Sequence, residues 1–416
     1  MIKVFKSRVR NKFILNPFFW FTLIWIVVLS VHGLSISRTY PQASLPMIVF
    51  FAIVLLLSVV FGVVYHLVFL KKLNYSPVLN SKPSYAFIIF SFVVLLAEIL
   101  YSKQVPLLGA LRGQSNAYRE FGIGGITFLN TTFVFFISII SSVKLIYGDK
   151  KNRWGNLLVF ALCLLRFVAI YSRGSLAFCL IILVLVFASK HKIGFFTILL
   201  LVVLAIVGMR VFNALGNIRM GSLWNDSSII LKLARVNSQY YPAKDYIWTL
   251  IYIDSPIGNL LYNEANIPVD YDFAGLMSQL IPDFLSKRIF PNYDGSLYLA
   301  IPGLTVSSMF AGSYKYFGYL GMSLAYIEFV AFIFITSLIV RKNNKYLIGA
   351  STALSFIAIM SFFDNMVVYS GYSFYLLYIV IARFIEKDDN LLIRKEKIKL
   401  AIQFLTSKGE NDFLQI

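Results

Sequence analysis

The sequence predicts an all-α polytopic membrane protein with about ten transmembrane helices and one long loop. Three observations predict it. The 416 residues are 59% hydrophobic and only 14% charged, whereas soluble domains run about 45–50% apolar and about 25% charged. Apolar runs of about 20 residues, the length that crosses a bilayer as a helix, recur along the chain. Lys and Arg gather in alternate connections between those runs, as they do on the inner side of membrane proteins. Together these exclude a disordered chain, a coiled coil and an ordinary soluble enzyme. The net charge of +19 would suggest nucleic acid in a soluble protein; here it reads as basic loops at a membrane surface, with no nucleic-acid partner.

Taken in order, residues 1–16 form a basic cytoplasmic N-terminus, KVFKSRVRNK preceding the first span. Seven spans fill 17–212, at 17–36, 46–70, 84–102, 125–147, 155–172, 174–189 and 193–212. The first is long, aromatic and without a small-residue cleavage pattern, so it is not a signal peptide. A long outward loop, 213–315, follows. Three further spans fill 316–385, at 316–340, 346–366 and 368–385, and a cytoplasmic tail occupies 386–416. With the N-terminus inside, the inner segments carry 24 of the 38 basic residues, which orients every turn consistently and puts both termini in the cytoplasm. The loop is rich in Tyr, Asn, Asp and Pro, with seven basic and eight acidic residues. Loops of that length are uncommon unless they serve a function. Its stretches 227–237 and 245–262 read as short helices lying on the membrane surface.

Ionisable residues inside spans are costly and mark functional sites by default. Glu98, Arg166, Arg210, Glu328 and Asp364 are such residues. Most fall in the outer half of their spans, which predicts a polar cavity open to the outside. Each also has a structural reading: Glu98–Arg166 as an intramembrane pair, Arg210 as a snorkelling side chain, Asp364 as a helix cap, Glu328 as a protonated or hydrogen-bonded group. The outward cations are Arg112, Arg119, Arg166, Arg173, Arg210, Arg219 and Arg235. Guanidinium stays charged and binds phosphate bidentately. Arg173 and Arg219 lie among glycines, in Ser172-Arg173-Gly174-Ser175 and Gly216-Asn217-Ile218-Arg219-Met220-Gly221, where backbone N–H groups can approach an anion.

Other signals are negative. Cys163 and Cys179 sit in apolar runs without metal spacing. His32, His66 and His191 all lie outside the long loop, which argues against a histidine triad or a His-ligated metal there. Neither a metal nor a cofactor is expected. The glycine cluster in YREFGIGG lacks a strand–helix context and carries no nucleotide fingerprint.

Several of these elements resemble the Wzy-type polymerases of bacterial O-antigen and related surface polysaccharides, the oligosaccharide repeat unit polymerases. The likeness covers the whole chain. It rests on the layout, on Gly216-Asn217-Ile218-Arg219 before the long loop, on Tyr118-Arg119-Glu120, on Ser172-Arg173-Gly174, on Ser255-Pro256 with Asn259-Leu260, and on Tyr316-Phe317-Gly318 with Gly321 opening the eighth span. The resemblance implies a GT-C-like membrane glycosyltransferase of lipopolysaccharide biosynthesis, at the periplasmic face of the bacterial inner membrane. Such an enzyme moves a growing glycan from undecaprenyl pyrophosphate to a fresh lipid-linked unit, and works with a Wzz-type chain-length regulator. On that reading Arg173, Arg210 and Arg219 hold the departing diphosphate, with Arg166, Arg112 and Arg119 in support. The catalytic base is Glu120 or Asp254, among outward carboxylates that also include Glu264, Asp270, Asp272, Asp283 and Asp294. Tyr240, Tyr241, Tyr252, Tyr271 and Tyr293 are candidates to stack on sugars or to form an interfacial belt. The alternatives are an O-antigen ligase, disfavoured by the lack of a histidine in the long loop, and a repeat-unit flippase, disfavoured by that loop and by the lack of internal repeats.

Overall fold

A chain this apolar has to satisfy its backbone N–H and C=O groups internally, and in lipid a helix does so within one segment. The computed structural model, which describes residues 9–73, 82–112, 120–220, 222–293, 297–301 and 303–385, is accordingly all-helical. Among the described residues the one trace of extended pairing is an isolated bridge between Ser37 and Val236. The helices are α1 (Pro17–Gly33), α2 (Leu45–Tyr65), α3 (Tyr85–Ser102), α4 (Pro106–Leu111), α5 (Ile126–Tyr147), α6 (Arg153–Ala169), α7 (Arg173–Lys190) and α8 (Phe195–Arg219), then α9 (Ser228–Leu233), α10 (Ile247–Asn266), α11 (Phe273–Leu280), α12 (Asp283–Ile289), α13 (Ala311–Val340), α14 (Asn344–Met360), α15 (Ser370–Ser373) and α16 (Tyr375–Ile385).

Among the described residues, six stretches are long and apolar enough to cross a membrane: Leu45–Leu70, Tyr85–Ser102, Ile126–Tyr147, Lys150–Ala169, Phe195–Ile218 and Ala311–Val340. By length and composition these are candidate membrane-spanning helices. Pro17–Gly33, Gly174–Lys190 and Ser370–Ile385 are shorter apolar helices. Helix starts are chemically marked. Asn16 accepts from the Phe18 N–H and donates to the Gly62 carbonyl at 2.8 Å, so one side chain caps α1 and ties it to α2. Ser44 caps α2, and Asn343 caps α14 through the Lys345 and Tyr346 N–H groups.

The centre of the bundle is built from α1, α5 and α14, and aromatic rings fill the crossings. Trp25 lies against Phe51 at 4.9 Å and Phe310 at 5.3 Å, and its indole N–H bonds Ser361 at 3.0 Å. Phe178 meets Phe135 at 4.4 Å and Phe356 at 4.7 Å. Part of the Phe and Tyr complement therefore serves the core, and part is exposed on the surface. Residues 9–16 dock on the end of α7, where Asn11 donates to the Ala188 and His191 carbonyls. Helix α8 differs from the rest. None of its most apolar stretch is buried, and it packs chiefly on α10 and on the turn-like helix Ser238–Tyr246.

Several sequence expectations change here. The stretch 245–262 is not a freely lying surface helix: as α10 it packs on α1, α8 and α13, and Asp254, Ser255, Ile257, Gly258, Asn259 and Leu260 are buried. The seventh apolar run does not stop at 212 but continues helical to Arg219. The eighth begins at Ala311 and is broken at Phe317 and Gly318. Gly318 has φ 56° and ψ −136°, a backbone that glycine alone adopts at low cost. The ninth ends at Met360, so Asp364 lies beyond the helix. The tail 386–416 lies outside the described residues.

Candidate functional site

The helices from α9 to α12 gather at the end of the bundle where α8 and α14 finish and α13 starts. Among the described residues, two of the clefts that open there are polar.

The first, of about 350 Å³, lies between α11, α12, the residues Leu297, Leu299, Thr305 and Ser307, and the turn 364–369. Its lining includes Asp283, Asp364, Lys287, Gln279, Asn365 and Tyr369. Asp283 opens α12 and takes the Ser370 N–H at 3.0 Å, while Lys287, one turn on, stands 3.7 Å from its other oxygen. The Asp364 carboxylate is open to the cleft but closely surrounded by protein on its other sides. That enclosure pushes its carboxyl above the usual carboxylate range; the Asn365 N–H it accepts at 2.7 Å opposes the rise, and the negative charge of Asp283 adds to it. Beneath the cleft Asn365 donates to Glu328 of α13 at 3.4 Å. A carboxyl whose pKa is raised, beside a second carboxylate and with amide, hydroxyl and ammonium donors around them, can bind sugar hydroxyls and exchange a proton with one.

The wall of this cleft is fixed by α10. Asn259 donates to the Leu304 and Val306 carbonyls at 3.0 and 2.9 Å and accepts from the Ala300 N–H. Asn263, one turn away, clamps Tyr298 through both its N–H and its C=O. The Asn259 motif thus works by holding Ala300, Leu304 and Val306 in place.

The second cleft, of about 330 Å³, is lined by Arg210, Asn213, Ala214, Trp224, Asn225, Lys244 and Asp245. Arg210 bonds the Tyr246 hydroxyl at 3.0 Å, lies over its ring at 5.4 Å and stands 3.7 Å from Asp245. Both partners of that ion pair are well exposed, so the contact orients Arg210 without engaging it fully. The clefts are bridged by rings: Phe212 of α8 meets Tyr252 of α10 at 5.1 Å, and Tyr252 meets Phe363, next to Asp364, at 6.0 Å.

The other candidate residues fall as follows. Arg173 is the first residue of α7; the glycine after it sits under the Tyr372 hydroxyl, and Tyr372 stacks on Tyr369 of the carboxylate cleft at 5.5 Å. Arg219 ends α8. Arg112 is exposed after α4, and Glu120 is exposed beside the α3–α5 connection, outside both cleft linings. Arg119 and Asp294 lie outside the described residues. Asp272 caps α11. The Tyr293 hydroxyl, and then the α11 N–H groups, hold its carboxyl below the usual range despite some desolvation. Asp270 is fixed by its N–H to the Lys315 carbonyl. Glu264 accepts from Ser44 at 2.5 Å and from the Tyr319 hydroxyl.

Two of the candidate residues lie buried inside the bundle. Arg166 is fully buried, 3.8 Å from the equally buried Glu98 and 3.5 Å from Thr131 Oγ1. It neutralises a carboxylate inside the bundle rather than facing an external ligand. Asp254 is 1% exposed and bonds His32 Nδ1 at 2.7 Å. Burial raises its carboxyl pKa and the His32 contact opposes the rise. A group so enclosed braces α10 against α1. The Gly216-Asn217 motif is likewise a docking device. A Cβ on Gly216 would meet the Trp248 ring at 2.7 Å, and Asn217 accepts from the Trp248 indole N–H at 2.7 Å.

Sequence reasoning passed over Lys244, Lys287 and Gln279. Pro282-Asp283 followed by Lys287 is the one readable signal, since Pro before a first-turn acid with a base four residues on marks a helix start. Comparison with protein-family models, with curated proteins and with solved structures finds no match to this chain.

Proposed function

We propose that this chain is a polysaccharide polymerase of the Wzy type, a glycosyltransferase acting on lipid-diphosphate-linked repeat units. On this reading ten helices cross the bacterial inner membrane, the termini are cytoplasmic, and α9–α12 form a periplasmic cap. The observation that carries the reading is the presence of two polar clefts linked through the Phe212, Tyr252 and Phe363 rings, one presenting Arg210 and Lys244 and the other presenting Asp283 and Asp364. A transfer from a lipid diphosphate to a sugar hydroxyl needs both kinds of group. Cations stabilise the charge that develops on the departing diphosphate, and a carboxylate takes the proton of the attacking hydroxyl. The oxygen of that hydroxyl forms the new bond to the anomeric carbon as the bond to the diphosphate breaks, and the diphosphate leaves as the anion. Asp364 is the base on this reading, in place of Glu120 and Asp254, with Asp283 tuning it and Arg210 facing the diphosphate. The position of Arg210 on the lipid-exposed α8 suits a donor whose diphosphate is tethered to a membrane-held chain.

Deleting the gene tests the assignment. Core capped by one repeat unit is the result expected of a lost polymerase. Bare core with polymer left on its carrier lipid would make the protein a ligase, and normal polymer on core would remove it from this step.

A further inference from the structure

At the opposite end of the bundle a cavity of about 810 Å³ opens between α5, α6, α7 and the start of α8. Its walls are apolar, with Leu157, Leu183, Val184, Phe187 and Leu200 among them. Its mouth is cationic. Lys150, Arg153 and Lys192 line it and are exposed, and Trp154, 79% exposed, lies beside them. His191 also lines it, stacked on Phe187 at 4.1 Å. Lys190 stands close enough to Arg153 to feel its charge, though its ammonium is engaged by the Ile146 carbonyl and the Tyr147 ring. Across 144–153 and 190–192 the sequence offers a single carboxylate, Asp149, against six Lys and Arg.

Like charges gathered at the rim of an apolar groove repel one another unless an anion joins them. A tryptophan beside them sets the depth of a membrane interface. The groove exists because α8 stands off the bundle, and its apolar surface would otherwise face a void. We infer that this groove holds one anionic phospholipid, its phosphate among Lys150, Arg153 and Lys192 and an acyl chain along Leu157, Val184 and Leu200, filling the gap between α7 and α8. Charge complementarity selects the occupant: a zwitterionic lipid would fill the same groove but leave the three cations without a net counter-charge. The inference does not depend on the enzymatic reading, because it concerns the other end of the molecule.

The test uses the full-length protein in bilayers of phosphatidylcholine containing a minor fraction of phosphatidylglycerol, with bromine on the acyl chains of one lipid or the other. Bromine quenches tryptophan at contact, and the Trp154→Phe variant identifies which part of the emission belongs to Trp154. Brominated phosphatidylglycerol should quench Trp154 at mole fractions on the order of 100-fold below brominated phosphatidylcholine, since each surface cation favours an anionic lipid and three act together. The variant carrying Lys150→Gln, Arg153→Gln and Lys192→Gln should lose that preference while quenching by total brominated lipid persists. Equal quenching by the two lipids in the parent protein, which needs no variant to fold, would overturn the inference. So would a preference that survives the triple substitution.

Discussion

His32 and Asp254 join residues 222 positions apart, 2.7 Å from one another and almost wholly out of solvent. Removing one partner leaves the other buried without its bond, a loss of about 1–3 kcal/mol. Asp254→Ala and His32→Ala should each lower thermal stability in detergent by that order. The double variant should lose clearly less than the two losses added together, because the second change removes nothing further from the pair; full additivity would mean the contact contributes nothing. At the carboxylate cleft the expectation concerns pH. Enclosure and the charge of Asp283 both raise the Asp364 carboxyl. Asp283→Asn removes one of these causes, so Asp364 should lose its proton at lower pH. The rising limb of the pH–activity profile should then move to lower pH in that variant. A limb that stays in place would separate Asp364 from the titration. Neither arrangement was legible in the sequence. Asp254 and His32 lie in different segments with no shared pattern, and Asp283 becomes a neighbour of Asp364 only when α12 folds back on the turn after α14.

Elements were more legible than contacts, because an apolar run of membrane length has few alternatives to a helix. Their ends were less so. The break in α13 falls at Phe317-Gly318, which the sequence marked as the opening of a span; hydropathy does not register a change of backbone direction within an apolar run. Gly318→Ala should cost about 1–3 kcal/mol through its positive φ, read as a lowered unfolding temperature, whereas Gly124→Ala, with open space around it, should leave stability near the parent value. An equal loss from both would mean that the α13 break is not held in that geometry. Gly216-Asn217 was read as an anion-binding turn because glycine and a polar residue before Arg219 fit one. The partner that decides its role, Trp248, lies a whole loop away in sequence. What looked like a ligand motif is the joint by which α8 is carried on α10.

At the scale of the molecule, polarity is partitioned by position. The bundle centre is aromatic, one end carries a cationic groove, and the other carries the two clefts under the α9–α12 cap. Composition and hydropathy foretold an all-helical chain with long apolar helices, since that follows from residue type alone. They did not foretell which charges face outward. Arg166 and Asp254 went inside because each found an opposite or hydrogen-bonding partner there, while Arg210 and Asp364 remained at cleft surfaces. The most direct test is turnover of a defined lipid-diphosphate-linked repeat unit by the purified protein, comparing parent, Asp364→Asn and Arg210→Ala at matched folding. The parent should build a ladder of polymer; Asp364→Asn should lower its rate by about 10²–10⁴-fold, and Arg210→Ala should also slow it markedly. Ladders of parental length and rate from both variants would contradict a glycosyl transfer run from these two clefts.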